Sequence, residues 1–136
     1  MSVLDEIRND INGAAILNDW LGAGGHPVSQ ETSDHRSLAC VRGNNGEICR
    51  ENVAPKWWET AKGKIADAIR SQLELKNKLR MTTPLESHLS MCRVCGCCLP
   101  LKVFVPIQHI KAHTPSEMLA RYPSFCWQRK EMEQHA

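Results

Sequence analysis

Four cysteines fall within seven positions, Cys92-Arg93-Val94-Cys95-Gly96-Cys97-Cys98, and nothing else in this chain restricts its fold as strongly. Two thiolates separated by two residues can grip one ion from a tight turn. Gly96, directly after them, permits the positive φ that turns backbone N–H groups toward sulfur. The cysteines number seven in all, an odd count that suits a disulfide framework poorly. The opening Met1-Ser2-Val3-Leu4-Asp5-Glu6 is acidic where a secretory leader is basic and then apolar. No export by signal peptide is therefore expected, the thiols should stay reduced, and a metal is the expected use of such a cluster.

Zinc takes four ligands in a tetrahedron, so the turn needs two more. The expected set is Cys92, Cys95, Cys97 and Cys126, with Cys40 and Cys49 as the principal alternative source of ligands. Cys126 qualifies because a strand and a short helix are expected to carry the chain away from the cluster and back. Cys98 is expected to be a bystander, since adjacent side chains diverge. A rival registry uses Cys92, Cys95 and Cys98, the C-x2-C-x2-C spacing of an iron–sulfur cluster, with Cys126 as a distant fourth ligand. Four thiolates leave no open position for water, which argues against an enzyme. No H-E-x-x-H, Walker, dinucleotide-binding or nucleophile-elbow motif is present. His109 and His113 have helical spacing, but Pro106 and Pro115 bracket them, so exposed histidines outside a regular helix are expected.

The remaining sequence reads as helix. Leu4, Ile7, Ile11, Ala14, Ala15 and Leu21 recur at three-to-four spacing and predict an amphipathic N-terminal helix, stopped by Gly22-Ala23-Gly24-Gly25. A weaker pattern predicts a second helix over Glu31–Cys40, followed by a turn at Gly43-Asn44-Asn45-Gly46. The clearest helix runs from Pro55 to about Leu79, with Trp58, Ala61, Ile65, Ala68, Ile69 and Leu73 as its stripe. Thr83-Pro84-Leu85-Glu86 and Thr114-Pro115-Ser116-Glu117 each start a short helix, and Leu99–Val105 predicts a strand. The whole is expected to be mainly α with a small β element, a single domain stapled by metal in the manner of a zinc knuckle or ribbon. An N-terminal helix over residues 1–25 would precede a helical body over 26–136, with the metal lobe at about 88–127.

The stretch Cys92 to Val103, followed by Val105-Pro106-Ile107, Ile110 and Cys126-Trp127, resembles a set of small tailed-bacteriophage proteins with a C-x2-C-G-C core. The likeness extends upstream through Arg36, Cys40, Cys49, Asn52, Trp57 and Trp58, and so covers residues 36–127. This chain departs from that pattern in placing eight residues between Cys40 and Cys49, where a short C-x2-C is expected. The resemblance implies a phage setting and favours Cys97 over Cys98 in the site.

Charge is unevenly placed. Residues 56–80 hold seven basic and three acidic side chains, against four and eight in residues 1–55. The expected function is that of a non-enzymatic, zinc-binding phage protein, a minor virion or adaptor component that docks onto other phage structural proteins. Trp57 and Trp58 are its candidate contact residues. The alternative is a nucleic-acid binder, using Lys62, Lys76, Lys78 and Arg80 among its phosphate contacts, or a binder of a host protein. The expected location is the virion or the host cytoplasm. The longest apolar stretches, Gly13–Leu17 and Leu99–Ile107 (the latter interrupted by Lys102), are too short to cross a membrane.

Overall fold

The computed structural model describes residues 3–54 and 60–135, with the side chains of residues 3–12 outside that description. The expected contact residues Trp57 and Trp58 lie outside the described residues, as do the side chains of Leu4, Ile7 and Ile11 and the expected helix start at Pro55. Among the described residues the architecture is mainly helical with one two-stranded sheet. The chain runs α1 (Val3–Gly22), α2 (Gln30–Arg42), β1 (Asn52–Val53), α3 (Thr60–Asn77), a 3-10 turn at Glu86–His88, and β2 (Met91–Cys92). It then continues through α4 (Leu99–Lys102), α5 (Ile107–Ala112), α6 (Ser116–Arg121) and α7 (Trp127–Gln134).

The core is built around the apolar run that follows the cysteine cluster. Leu99, Leu101, Val103, Phe104 and Val105 are all buried, together with Trp20, Met81, Ile110, Met118 and Tyr122. Sequence predicts a strand over Leu99–Val105, and the structure corrects this to helix. Pro100 sits in the first turn of α4, and Lys102 N–H and Val103 N–H close helical bonds to Cys98 O and Leu99 O at 3.0 and 3.1 Å. A continuous apolar run buries equally well in either geometry, so periodicity could not distinguish them. The small sheet precedes the knuckle rather than following it: β1 pairs antiparallel with β2, Asn52 opposite Cys92 and Val53 opposite Met91. The start after Thr83 yields only the 3-10 turn, whereas the start after Thr114 gives α6 as expected.

Two helical stripes are rotated from their expected phase. In α1 the buried side chains are Ile16 and Trp20, while Ala14 and Leu21 face outward. Trp20 is fixed by its indole N–H, which donates to His26 O at 2.9 Å, so the chain beyond the helix folds back over it. In α3, Ala66 and Leu73 are buried and Ile65 is 61% exposed. α1 packs on α5, α5 and α2 pack on α7, and α3 packs on α4. The N-terminal helix thus joins the same core as the rest.

The faint apolar signal of α2 has a structural cause. Its inward face is Ser33, Arg36, Ser37 and Cys40, while Leu38 is 47% exposed. Ser37 Oγ donates to Ser33 O at 2.8 Å, so the face is polar but satisfied. Burying such a helix requires partners on other elements.

Candidate metal centre

The knuckle turn closes as its spacing predicts. Gly96 takes φ +69°, its N–H donates to Cys92 O at 2.7 Å, and Cys92 N–H donates to Cys97 O at 3.0 Å. The Cys97 thiol donates to Cys95 O at 3.7 Å, and the side chains of Cys92 and Cys97 both interact with that of Cys95. Burial pushes Cys95 up, but those two thiols and Lys102 outweigh it and hold Cys95 well below the ordinary thiol range. Bonding to Cys95, followed by burial, pushes Cys92 and Cys97 well up. The three knuckle side chains thus form one interacting cluster.

Lys102 completes it. Its side chain is 3% exposed, and its Nζ donates to Cys95 Sγ at 3.0 Å. Burial by itself would lower the Lys102 pKa, yet the sulfurs of Cys95, Cys97 and Cys92 carry it above its ordinary value. The ammonium is thus held in the interior by sulfur. Tyr122 also borders the cluster. Burial raises its hydroxyl well above the ordinary tyrosine range, and it donates to Gln128 Oε1 at 3.0 Å.

The upstream pair comes to the same place. Cys49 N–H donates to Cys40 O at 2.9 Å, and Asn52, opposite Cys92 in the sheet, spans the junction. Its Nδ2 donates to His88 O at 2.9 Å and to Cys40 O at 3.4 Å, and its Oδ1 accepts from Ser90 N–H at 2.8 Å. Cys40 and Cys49 are buried, and so is Cys126, the N-cap residue of α7. Burial pushes Cys40 up to about 12 and Cys126 to about 11, and it raises Cys49 as well. Backbone N–H groups oppose that rise, from Glu51 and Asn52 at Cys49 and from Arg129 and Gln128 at Cys126. At Cys40 the opposing group is the indole of Trp127. That Trp127 Nε1–H is buried and has no hydrogen-bond partner at bonding distance.

Of the expected ligands, Cys92, Cys95 and Cys97 are brought together. Cys126 is set apart from that turn, at the start of α7, and both it and Cys40 are near enough to Cys95 to be raised by its charge. Cys98, the N-cap residue of α4, lines an apolar cleft of about 190 Å³ between α1 and α3. Cys97 borders the same cleft, and a Cβ on Gly13 would stand 3.2 Å from its sulfur, so a glycine there lets α1 approach closely. Among the described residues no three His, Cys, Asp or Glu side chains are arranged to grip an ion as they stand. Cys40, Cys49, Cys92, Cys95 and Cys126 are nevertheless buried on four chain segments, with Cys97 half-buried beside them, and thiols are the donor type a soft divalent metal takes.

The histidines belong elsewhere. His109 is buried within α5 and His113 caps the end of that helix, against the expectation of exposed histidines outside a helix. Both stand against Asp19 Oδ2, at 3.3 and 3.5 Å, and so link α5 to α1. Pro106 is tolerated because it sits immediately before the helix.

Sequence reasoning missed Arg36 as an anchor. Its guanidinium is 1% exposed, grips both Glu131 oxygens at 2.9 and 2.7 Å, and donates to Val103 O and Val105 O at 3.1 and 2.7 Å. The basic segment is partly engaged within the fold. Arg70 pairs with Glu86 and Asp67, and Lys76 donates to Gly24 O. Lys62 borders the apolar cleft, while Lys78 and Arg80 are exposed at the end of α3 and just beyond it. Among the described residues no helix is long and apolar enough to cross a membrane.

No family model, curated protein or solved structure matches this chain.

Proposed function

We propose that the protein is a non-enzymatic, zinc-stapled docking component of a tailed phage, its cysteine-rich core holding one structural ion. The observation that carries this reading is Lys102, a buried ammonium whose hydrogen-bonding partners are sulfurs. An isolated interior cation is costly, so negative charge must reside on those sulfurs. A zinc ion bound by four thiolates carries two net negative charges, which one ammonium partly neutralises. When bound, zinc would fix the relative positions of the segments that carry its ligands. Its apparent binding free energy in small zinc domains, about 10–16 kcal/mol, rivals the stability of a whole domain.

Engagement of Arg70 and Lys76 within the fold leaves fewer cations for phosphates, which favours a protein partner over nucleic acid. The phage setting rests on the resemblance of the knuckle and its flanks.

Elemental analysis of the purified protein, read with its visible spectrum, tests the metal. A colourless sample with stoichiometric zinc is expected. A metal-free or iron-containing sample would overturn the proposal. Mass spectrometry of purified phage particles tests the virion assignment, which absence from the particle would remove.

A further inference from the structure

We infer that the outward face of α3 is a docking surface for an amphipathic helix with acidic flanks on a partner protein. The inference rests on the docking part of the reading above and is independent of the metal.

The structure separates two faces of α3. Ala66 and Leu73 turn into the core, with Ile69 half-buried beside them. Ala61, Ile65, Ala68, Gln72 and Leu75 are all exposed, and they follow one another at steps of four, three, four and three residues. That alternation is the seam of a coiled coil, the pattern by which one helix receives another. Exposure is greatest where the side chains are large, 61% at Ile65 and 74% at Leu75. Exposed aliphatic residues scattered singly need no explanation, but two in phase along one helical seam mark a contact surface. Ile65 also lines the apolar cleft of about 190 Å³ between α1 and α3, so the seam borders a recess with room for a bulky apolar side chain.

Charge selects the occupant. Lys62 and Lys76 flank the seam on one side and Lys64 on the other, the positions that meet the flanks of a docked helix. Lys76 donates to Gly24 O and keeps its charge. The carboxylates of α3 lie away from the seam and are engaged within the fold: Asp67 pairs with Arg70, and Glu74 accepts from Met81 N–H at 2.7 Å. A second copy would bring the same positive flanks and leave the small Ala61 and Ala68 without large partners. Glutamates beside leucines on a different chain satisfy both the charge and the volume. Gln72 interrupts the apolar face where a lipid surface would want it continuous, and the seam has no aromatic residue to enter a bilayer. Between two helices the same polar residue fixes the register.

Two designed probe helices test this on the full chain. Both carry leucine at the seam positions, and their flanks are glutamate in one and lysine in the other. In fluorescence anisotropy at low salt the glutamate probe should bind, and the lysine probe should bind about tenfold more weakly or not at all. Leu75→Asp should weaken the glutamate probe roughly 30-fold, the size of a hot-spot loss, with the circular dichroism spectrum unchanged because the position is exposed. Lys64→Glu combined with Lys76→Glu keeps the apolar seam and should reverse the preference between the probes. Equal binding of both probes, or equal binding to wild type and Leu75→Asp, would overturn the inference while leaving docking through another face in place. A dimer in analytical ultracentrifugation, or binding to phosphatidylglycerol vesicles, that Leu75→Asp abolishes would also overturn it by giving the face a different occupant. Absence of the protein from phage particles would remove the docking role and leave the probe measurements unchanged, so the two failures are distinguishable.

Discussion

The Lys102 ammonium stands 3.0 Å from the Cys95 sulfur, and both side chains are buried. Cys97 and Cys92 add to the hold of Cys95 on that ammonium. Lys102→Met keeps most of the apolar stem and removes the charge. Zinc affinity should fall by roughly 10–100-fold, the usual effect of losing a group that supports a ligand from behind. Competition against a calibrated chelator measures it, and unchanged affinity would refute the charge-balancing role.

Arg36→Ala removes a guanidinium that joins α2 to α7 and to the carbonyls of Val103 and Val105. It also removes a cation stacked 4.4 Å from the centroid of the Trp127 ring. The two carbonyls are left without their donor. Breaking a buried pair of this kind costs about 3–5 kcal/mol, so the variant should unfold at much lower denaturant concentration. A loss below ~1 kcal/mol would contradict the anchor assignment.

Asn52→Ala deletes both halves of a bridge: the amide donating to His88 O and Cys40 O, and the carbonyl accepting from Ser90 N–H. The expected cost is about 1–3 kcal/mol. Hydrogen exchange gives the sharper readout. The Ser90 amide should lose protection more than amides in α5, and equal loss at both would show that the bridge is not local.

Removal of zinc by a strong chelator should lower the melting temperature and abolish exchange protection across residues 88–127 first. Re-addition of zinc should restore both. A chelated sample that melts like the untreated one would remove the staple from the account of stability.

The knuckle turn was legible because its chemistry is local: two residues between cysteines and a glycine at the required φ are written in consecutive positions. Helices α1, α2 and α3 were legible by pattern or by their capping residues. Their inward faces were not, because Ile16 and Trp20 are chosen by what α5 and the His26 turn present to them. Leu99–Val105 was misread as a strand since total burial erases periodicity. The most useful overlooked signal was Lys102 itself. A single lysine inside an otherwise apolar run is a cation directed inward, and it announces that anionic partners lie within reach. Arg36 gave no such signal, because its partners Glu131 and Trp127 lie more than ninety positions away.

The polar inward face of α2 has a consequence for the order in which the molecule assembles. Ser33, Arg36, Ser37 and Cys40 offer little to hydrophobic collapse, and the carboxylate and indole that hold Arg36 belong to α7. While the ribosome is still extending the chain toward residue 127, the Arg36 guanidinium has the carbonyls of Val103 and Val105 at most, and lacks its carboxylate and indole partners. The native arrangement therefore waits for the final helix to emerge, and nascent chains truncated before Glu131 should be protease-sensitive from α2 onward.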